Sequence, residues 1–149
     1  MYRIGEAELK RIEGLFKSGN IFRYGMGGEC DRFEESWARY VGVEHCRLSR
    51  SGTAALYTAL VGMGVGPGDQ VIVPSYTYMA TALAVLAAGA IPVIADVDDS
   101  LTLCPKDLKK RITRHTRAII PVHMVGLPCD MKMQARQKNS SKLGVDIRG

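Results

Sequence analysis

The residues best suited to chemistry are Arg50-Ser51-Gly52-Thr53-Ala54-Ala55-Leu56, a small polar turn that opens onto a run apolar almost all round. The first turn of a helix leaves backbone N–H groups without partners and concentrates partial positive charge, so such a turn is a candidate seat for a phosphate. Two further groups stand where they could join it, the Pro74-Ser75-Tyr76-Thr77-Tyr78 turn and Asp96. On the residues alone, Thr53 reads first as a helix cap and Tyr78 as a packed core ring. His123 reads as a structural hydrogen-bonding partner and Asp96 as the cap of the next turn, and neither is assigned a catalytic role.

Positioning these groups requires a scaffold, and the apolar pattern supplies one. It predicts strands at 45–48, 70–73, 91–95 and 117–122, separated by helices at 53–63, 78–88 and 105–112. Strands alternating with helices of this length predict right-handed crossovers and a largely parallel sheet. Continuous apolar strands such as Val71-Ile72-Val73 fit a sheet covered on both faces. In such sheets ligands gather beyond the carboxyl ends of the strands, where all three candidate groups fall. The periodicity therefore predicts a site and leaves the reaction open.

Ahead of that rhythm, Leu9, Ile12 and Phe16 share a helical face, and Gly19-Asn20 ends it; an outlying helix packed on the body is expected. Residues 31–41 form an amphipathic helix with Phe33, Trp37 and Tyr40 on one stripe and Asp31, Glu34, Glu35 and Arg39 outside it. That stripe is expected to be core, and Gly42 to end the helix. The glycine clusters at 25–28 and 62–68 fail the Gly-x-Gly-x-x-Gly dinucleotide pattern, because Cys30 and then Pro67 or Asp69 stand at the third position. Both are read as turns.

Composition narrows the classes. With 149 residues, 46% of them hydrophobic, the chain suits one soluble domain with a core. The apolar run 79–95 is cut by Gly89 and Pro92 and falls short of a membrane span, and residues 1–10 lack a signal core, so a cytoplasmic protein with no membrane association is expected. Cys30, Cys46, Cys104 and Cys129 show no Cys-x-x-Cys pair, which points to free thiols rather than zinc ligands. Residues 1–105 hold 9 Lys/Arg against 12 Asp/Glu, and 106–149 hold 11 against 3, a net of −3 followed by +8. Such a basic end could grip nucleic acid, but no aromatic residue follows Tyr78 to stack on a base, which disfavours that role.

The run Ser51-Gly52-Thr53-Ala54-Ala55-Leu56, followed by Gly66-Pro67-Gly68-Asp69-Gln70-Val71-Ile72-Val73-Pro74-Ser75-Tyr76-Thr77-Tyr78, closely resembles the DegT/DnrJ/EryC1/StrS sugar aminotransferases. Ala90-Ile91-Pro92-Val93 with Asp96-Val97-Asp98, and Ile119-Ile120-Pro121-Val122-His123 with Gly126 and Asp130-Met131, continue the likeness in order. The resemblance implies an α/β fold, the N-terminal part of the large domain of the fold-type I, aspartate aminotransferase-like architecture, with a mostly parallel sheet flanked by helices. It implies pyridoxal 5'-phosphate as cofactor, a nucleotide-linked keto-sugar and glutamate as substrates, and a homodimer. Gly52, Thr53 and Ala54 match the positions that hold the cofactor phosphate, and Tyr78 matches the aromatic that stacks on the pyridine ring.

The likeness spans 24–131, after an N-terminal helix and lead-in at 1–23 and before a divergent basic tail at 132–149. Family chemistry also needs an acidic residue in a Glu-Asp-Ala-x-Gln type segment and a later lysine bonded to the cofactor. Neither motif is present in these 149 residues, and Lys132, Lys138 and Lys142 stand in no matching context. The expectation is a shortened or frame-disrupted member, inactive alone. Two other classes are carried with it: a noncatalytic module that binds a phosphate ligand or a full-length homologue, and nucleic-acid binding through the basic end.

Overall fold

A computed structural model describes residues 4–21 and 27–132. Residues 1–3, 22–26 and 133–149 lie outside the described residues, and with them most of the divergent basic tail expected from the sequence. The chain divides into two compact units, Met1–Leu48 and Ser49–Gly149.

The first unit holds α1 (Glu6–Ser18) and α2 (Glu29–Val41). Each stops where expected: Gly19 and Gly42 take the left-handed conformation, with φ of 67° and 78°, that lets a chain turn out of a helix. Two expectations are corrected. Helix α1 has no buried residue, so Leu9, Ile12 and Phe16 remain exposed. On α2 the face turned inward is that of Glu34 and Ala38, while the ladder of Phe33, Trp37 and Tyr40, with ring centroids 5.8 and 5.5 Å apart, is exposed.

The reason lies in residues 43–48. The sequence predicts a strand at 45–48, and the structure has none there. Instead this segment follows α2, where the Leu48 N–H donates to Glu34 at 2.7 Å and the Arg47 guanidinium donates to it at 2.9 Å. A buried carboxylate requires such partners, and meeting that need sets which side of α2 is covered.

The second unit carries the predicted rhythm: α3 (Gly52–Gly62), β1 (Gln70–Pro74), α4 (Ala80–Ala87), β2 (Ile91–Ala95), α5 (Pro105–Arg111), β3 (Thr116–Ile119) and a short 3-10 turn at Met124–Gly126. The sheet order is β2-β1-β3, and both pairings are parallel. Along β1 the side chains alternate between two cores. Val71 and Val73 pack with Leu60, Ala84, Val85 and Ala118 on the α3–α4 side, while Ile72 packs with Ala95, Leu103 and Leu108 on the α5 side.

Turns hold the layers in place. In the Gly66–Asp69 turn, Gly68 has φ of 88°, a conformation that disfavours side chains, and Asp69 bonds the Gly66 N–H through its carboxylate at 3.1 Å. Gly89 has φ of 76°, and an added Cβ would lie 3.3 Å from Pro67, so the α4–β2 turn closes directly on the α3–β1 turn.

Because Ile72 is fully buried, Ile72→Ala is expected to lower the stability of this unit by about 2–5 kcal/mol, read from urea unfolding followed by circular dichroism. A loss well under 1 kcal/mol would mean that the two-sided core closes over the gap.

Candidate functional site

Chain direction sets the site. Helix α3 ends just before β1, and α4 starts just after it, so both run opposite to the strand. Eleven helical residues span about 16 Å, close to the length of five strand residues, which brings the start of α3 level with the carboxyl end of β1. The starts of α3, α4 and α5 therefore lie at the carboxyl edge of the sheet, where open parallel sheets bind ligands.

At the head of α3, Ser51 is the cap. Its backbone is extended, its hydroxyl oxygen accepts the Ala54 N–H at 3.1 Å, and its carbonyl accepts the Ala55 N–H at 2.9 Å. The N–H groups of Gly52 and Thr53 have no partner among the described residues, and an added Cβ on Gly52 would meet nothing within 4 Å. Two free donors and the exposed Thr53 hydroxyl thus face open space at the positive end of an 11-residue helix. Ala54 differs from the other two, because Ser51 already holds its N–H.

The second group is tied to the third. Ser75 donates its N–H to the Ala95 carbonyl at 2.8 Å, and its hydroxyl lies 3.4 Å from the Asp96 carboxylate. Asp96 accepts the Val97 N–H at 2.8 Å and donates its own N–H to Asp107 at 2.9 Å, so it caps the turn after β2. Thr77 and the buried Thr81 share a hydrogen bond of 2.8 Å that fixes the start of α4. The preceding Tyr78 is 80% exposed, and among the described residues no hydrogen bond or ring contact joins it to the Ser51 turn.

His123 lies apart from these groups in the bonding pattern. Its Nδ1 accepts the Cys129 N–H at 2.9 Å, and the buried Cys129 thiol donates to the Val122 carbonyl at 3.2 Å, closing the loop between them. The four cysteines are free thiols. No described helix is long and apolar enough to cross a membrane.

Asp107 is the residue that the sequence reading passed over. Its signal was present: an acid in the first turn of a helix that begins with Pro105. The Asp96 N–H holds the Asp107 carboxyl below the ordinary aspartate value, with Arg111 acting in the same direction. The Ser100 hydroxyl and N–H likewise hold Asp98 down.

The sequence profile of the DegT/DnrJ/EryC1/StrS aminotransferase family matches residues 2–146. The chain belongs to that family. It is 49% identical over 110 residues, 73% of its own length and 29% of the relative's, to a Streptomyces venezuelae dTDP-3-amino-3,4,6-trideoxy-alpha-D-glucose transaminase. The structure superposes on 3-amino-5-hydroxybenzoic acid synthase with a TM-score of 0.87 at 36% identity, covering 93% of this chain and 36% of that one. It superposes on Bacillus subtilis NtdA, solved with bound cofactor PMP, with a TM-score of 0.82 at 30% identity, covering 94% and 33%. The chain thus spans about a third or less of the length of these relatives, and its α/β fold with a small parallel sheet flanked by helices is that of pyridoxal-phosphate aminotransferases.

Two measurements probe this edge. Ser51→Ala removes the cap and is expected to cost about 1 kcal/mol in thermal or urea unfolding, whereas Ser51→Gly costs only a few tenths. No measurable loss from Ser51→Ala would show that the Ala54 bond contributes nothing.

Asp98 and Asp107 have folded-state values below the ordinary 3.8. Each contributes stability that is complete above 3.8 and is lost as pH falls through the lowered folded value. An Asp98→Asn, Asp107→Asn double variant is expected to show a flatter stability–pH curve below 3.8, read from unfolding midpoints along an acid series.

Proposed function

We propose that this chain supplies the cofactor-phosphate seat of a pyridoxal 5'-phosphate-dependent aminotransferase that acts on nucleotide-linked keto-sugars, with glutamate as amino donor. The observation that carries the reading is the open head of α3, where Gly52 and Thr53 present unpaired N–H groups at the carboxyl edge of a parallel sheet in a chain of this family. A homodimer in the cytoplasm completes the reading.

The seat fits a phosphate group. Gly52 and Thr53 donate backbone N–H groups and Thr53 adds its hydroxyl, all at the positive end of the helix dipole. Ala54 acts through Ser51: the serine oxygen accepts its N–H, which leaves the Ser51 proton to donate to the same phosphate. Tyr78, exposed at the start of α4, offers a ring face for stacking on the pyridine. When bound, pyridoxal phosphate supplies an electron sink for moving an amino group.

The remaining chemistry has no source in these 149 residues. No Glu-Asp-Ala-x-Gln type segment and no lysine in the family context is present, so the chain alone holds a phosphate but neither bonds the cofactor nor keeps its ring nitrogen protonated. A second reading, a noncatalytic phosphate-binding module, rests on the same open head of α3.

Pyridoxal phosphate titration of the purified chain separates these readings. The expected result is saturable binding without a lysine adduct after borohydride reduction and intact mass, no turnover of glutamate with a keto-sugar nucleotide, and affinity weakened about tenfold or more by Thr53→Ala. A reduced adduct on one lysine would place a Schiff-base residue in this chain, and absence of saturable binding would remove the phosphate seat.

A further inference from the structure

Asp96 is gripped on both sides by the start of α5. Its N–H donates to the Asp107 carboxylate at 2.9 Å, and its carbonyl accepts the Cys104 N–H at 2.9 Å. Holding the donor and the acceptor of one residue orients both of its peptide planes, so α5 sets the angle at which the chain leaves β2. Asp107 suits this task. Only 18% of its side chain is exposed, and Arg111 donates to the same carboxylate oxygen at 3.2 Å. A charged acceptor makes the stronger bond to a backbone N–H.

With its backbone fixed, Asp96 turns its carboxylate toward the neighbouring strand. The oxygen that accepts the Val97 N–H at 2.8 Å also lies 3.4 Å from the hydroxyl of Ser75, the residue that follows β1. Ser75 is thereby held twice by the end of β2, because its own N–H donates to the Ala95 carbonyl at 2.8 Å.

Three residues on stands Tyr78. Its carbonyl accepts the Thr81 N–H at 3.0 Å, while its ring remains 80% exposed. A ring with so little packing is placed by the backbone that carries it. Ser75 anchors one end of that backbone, and the Thr77–Thr81 hydroxyl pair anchors the other.

We propose that Asp107 is a positioning residue that acts through Asp96 and Ser75 to fix the turn presenting Tyr78, an inference that rests on the proposed stacking of Tyr78 on the pyridine ring. Among the described residues no hydrogen bond joins Asp107 to the head of α3, so its effect falls on the ring and not on the phosphate.

Two probes separate these parts of the site, since inorganic phosphate needs only the head of α3 and pyridoxal phosphate also needs Tyr78. In titrations of the purified chain, Asp107→Ala is expected to weaken pyridoxal phosphate about fivefold and to leave inorganic phosphate unchanged. Asp107→Asn keeps an oxygen for the Asp96 N–H and should restore most of that loss. Ser75→Ala, an exposed change that keeps the backbone bonds, should repeat it and decides the matter if Asp107→Ala fails to fold. The losses from Asp107→Ala and Tyr78→Ala should fall short of adding, because both act on one contact.

Amide hydrogen exchange gives a readout without cofactor. In Asp107→Ala the Ser75 amide should exchange several-fold faster, while those of Ile91 and Ile120, bonded to Asp69 and Ile72, keep their wild-type rates. Equal weakening of both probes, unchanged pyridoxal phosphate affinity in the folded variants, additive losses with Tyr78→Ala, or an unchanged Ser75 amide would each overturn the proposal. A wild-type chain that binds neither probe removes the phosphate seat, and the Ser75 amide alone then decides the role of Asp107.

Discussion

Everything in the second unit depends on β1 being buried from four sides. It takes hydrogen bonds from parallel neighbours on both edges, and it sends Val71 and Val73 into one core and Ile72 into the other. A strand in that position has no polar face to give to water, so helices must cover both surfaces. Parallel neighbours in turn require crossovers, and crossovers require helices that run back against the strands. The gathering of helix starts at one edge is thus a consequence of burying three apolar residues in a row, before any ligand is considered.

That edge is then shaped by local bonds of two kinds. Around Asp96 the donors and acceptors satisfy one another: Ser75 reaches Asp96, Asp96 holds Val97, and Asp107 takes the Asp96 N–H. At the head of α3 the satisfaction is incomplete, because Ser51 takes only the Ala54 N–H and leaves those of Gly52 and Thr53 open. Unpaired donors at a helix end are tolerable where water or an anion can reach them. The contrast separates the two: the groups around Asp96 are spent on one another, and two donors at the head of α3 are open.

The legible parts of this fold were those where one physical demand dominated. Alternation of apolar runs predicted three strands and the helices between them, because burial on both faces leaves little freedom in residue type. The lost parts were those where demands competed. The segment at 45–48 has a strand's composition, but it follows α2 instead, with Leu48 donating to Glu34. Glu34 itself, an acid that belongs outside by periodicity, is buried because Arg47 and the Leu48 N–H meet its charge. Phe33, Trp37 and Tyr40 are correspondingly exposed, since a helix with its covering segment on the Glu34 side cannot also bury the aromatic side. At the site, Thr53 and Tyr78 were legible as candidates, whereas the engagement of Ala54 by Ser51 and of Asp96 by Asp107 depended on side-chain rotamers that spacing does not encode.

A phosphate seat and the chemistry of an amino transfer make different demands on a chain. The seat needs one helix start and a short turn, both encoded within residues 49–62, and its donors are backbone groups that survive wherever the helix forms. The chemistry needs side chains brought from distant segments to a single ring, each useful only when the others are in place. A chain can therefore hold a complete seat without holding any of the chemistry. Here the proposed seat at the head of α3 is held by its own capping serine beside a two-sided core. On the proposed reading, binding and catalysis are separable because one is built from local backbone and the other from long-range assembly.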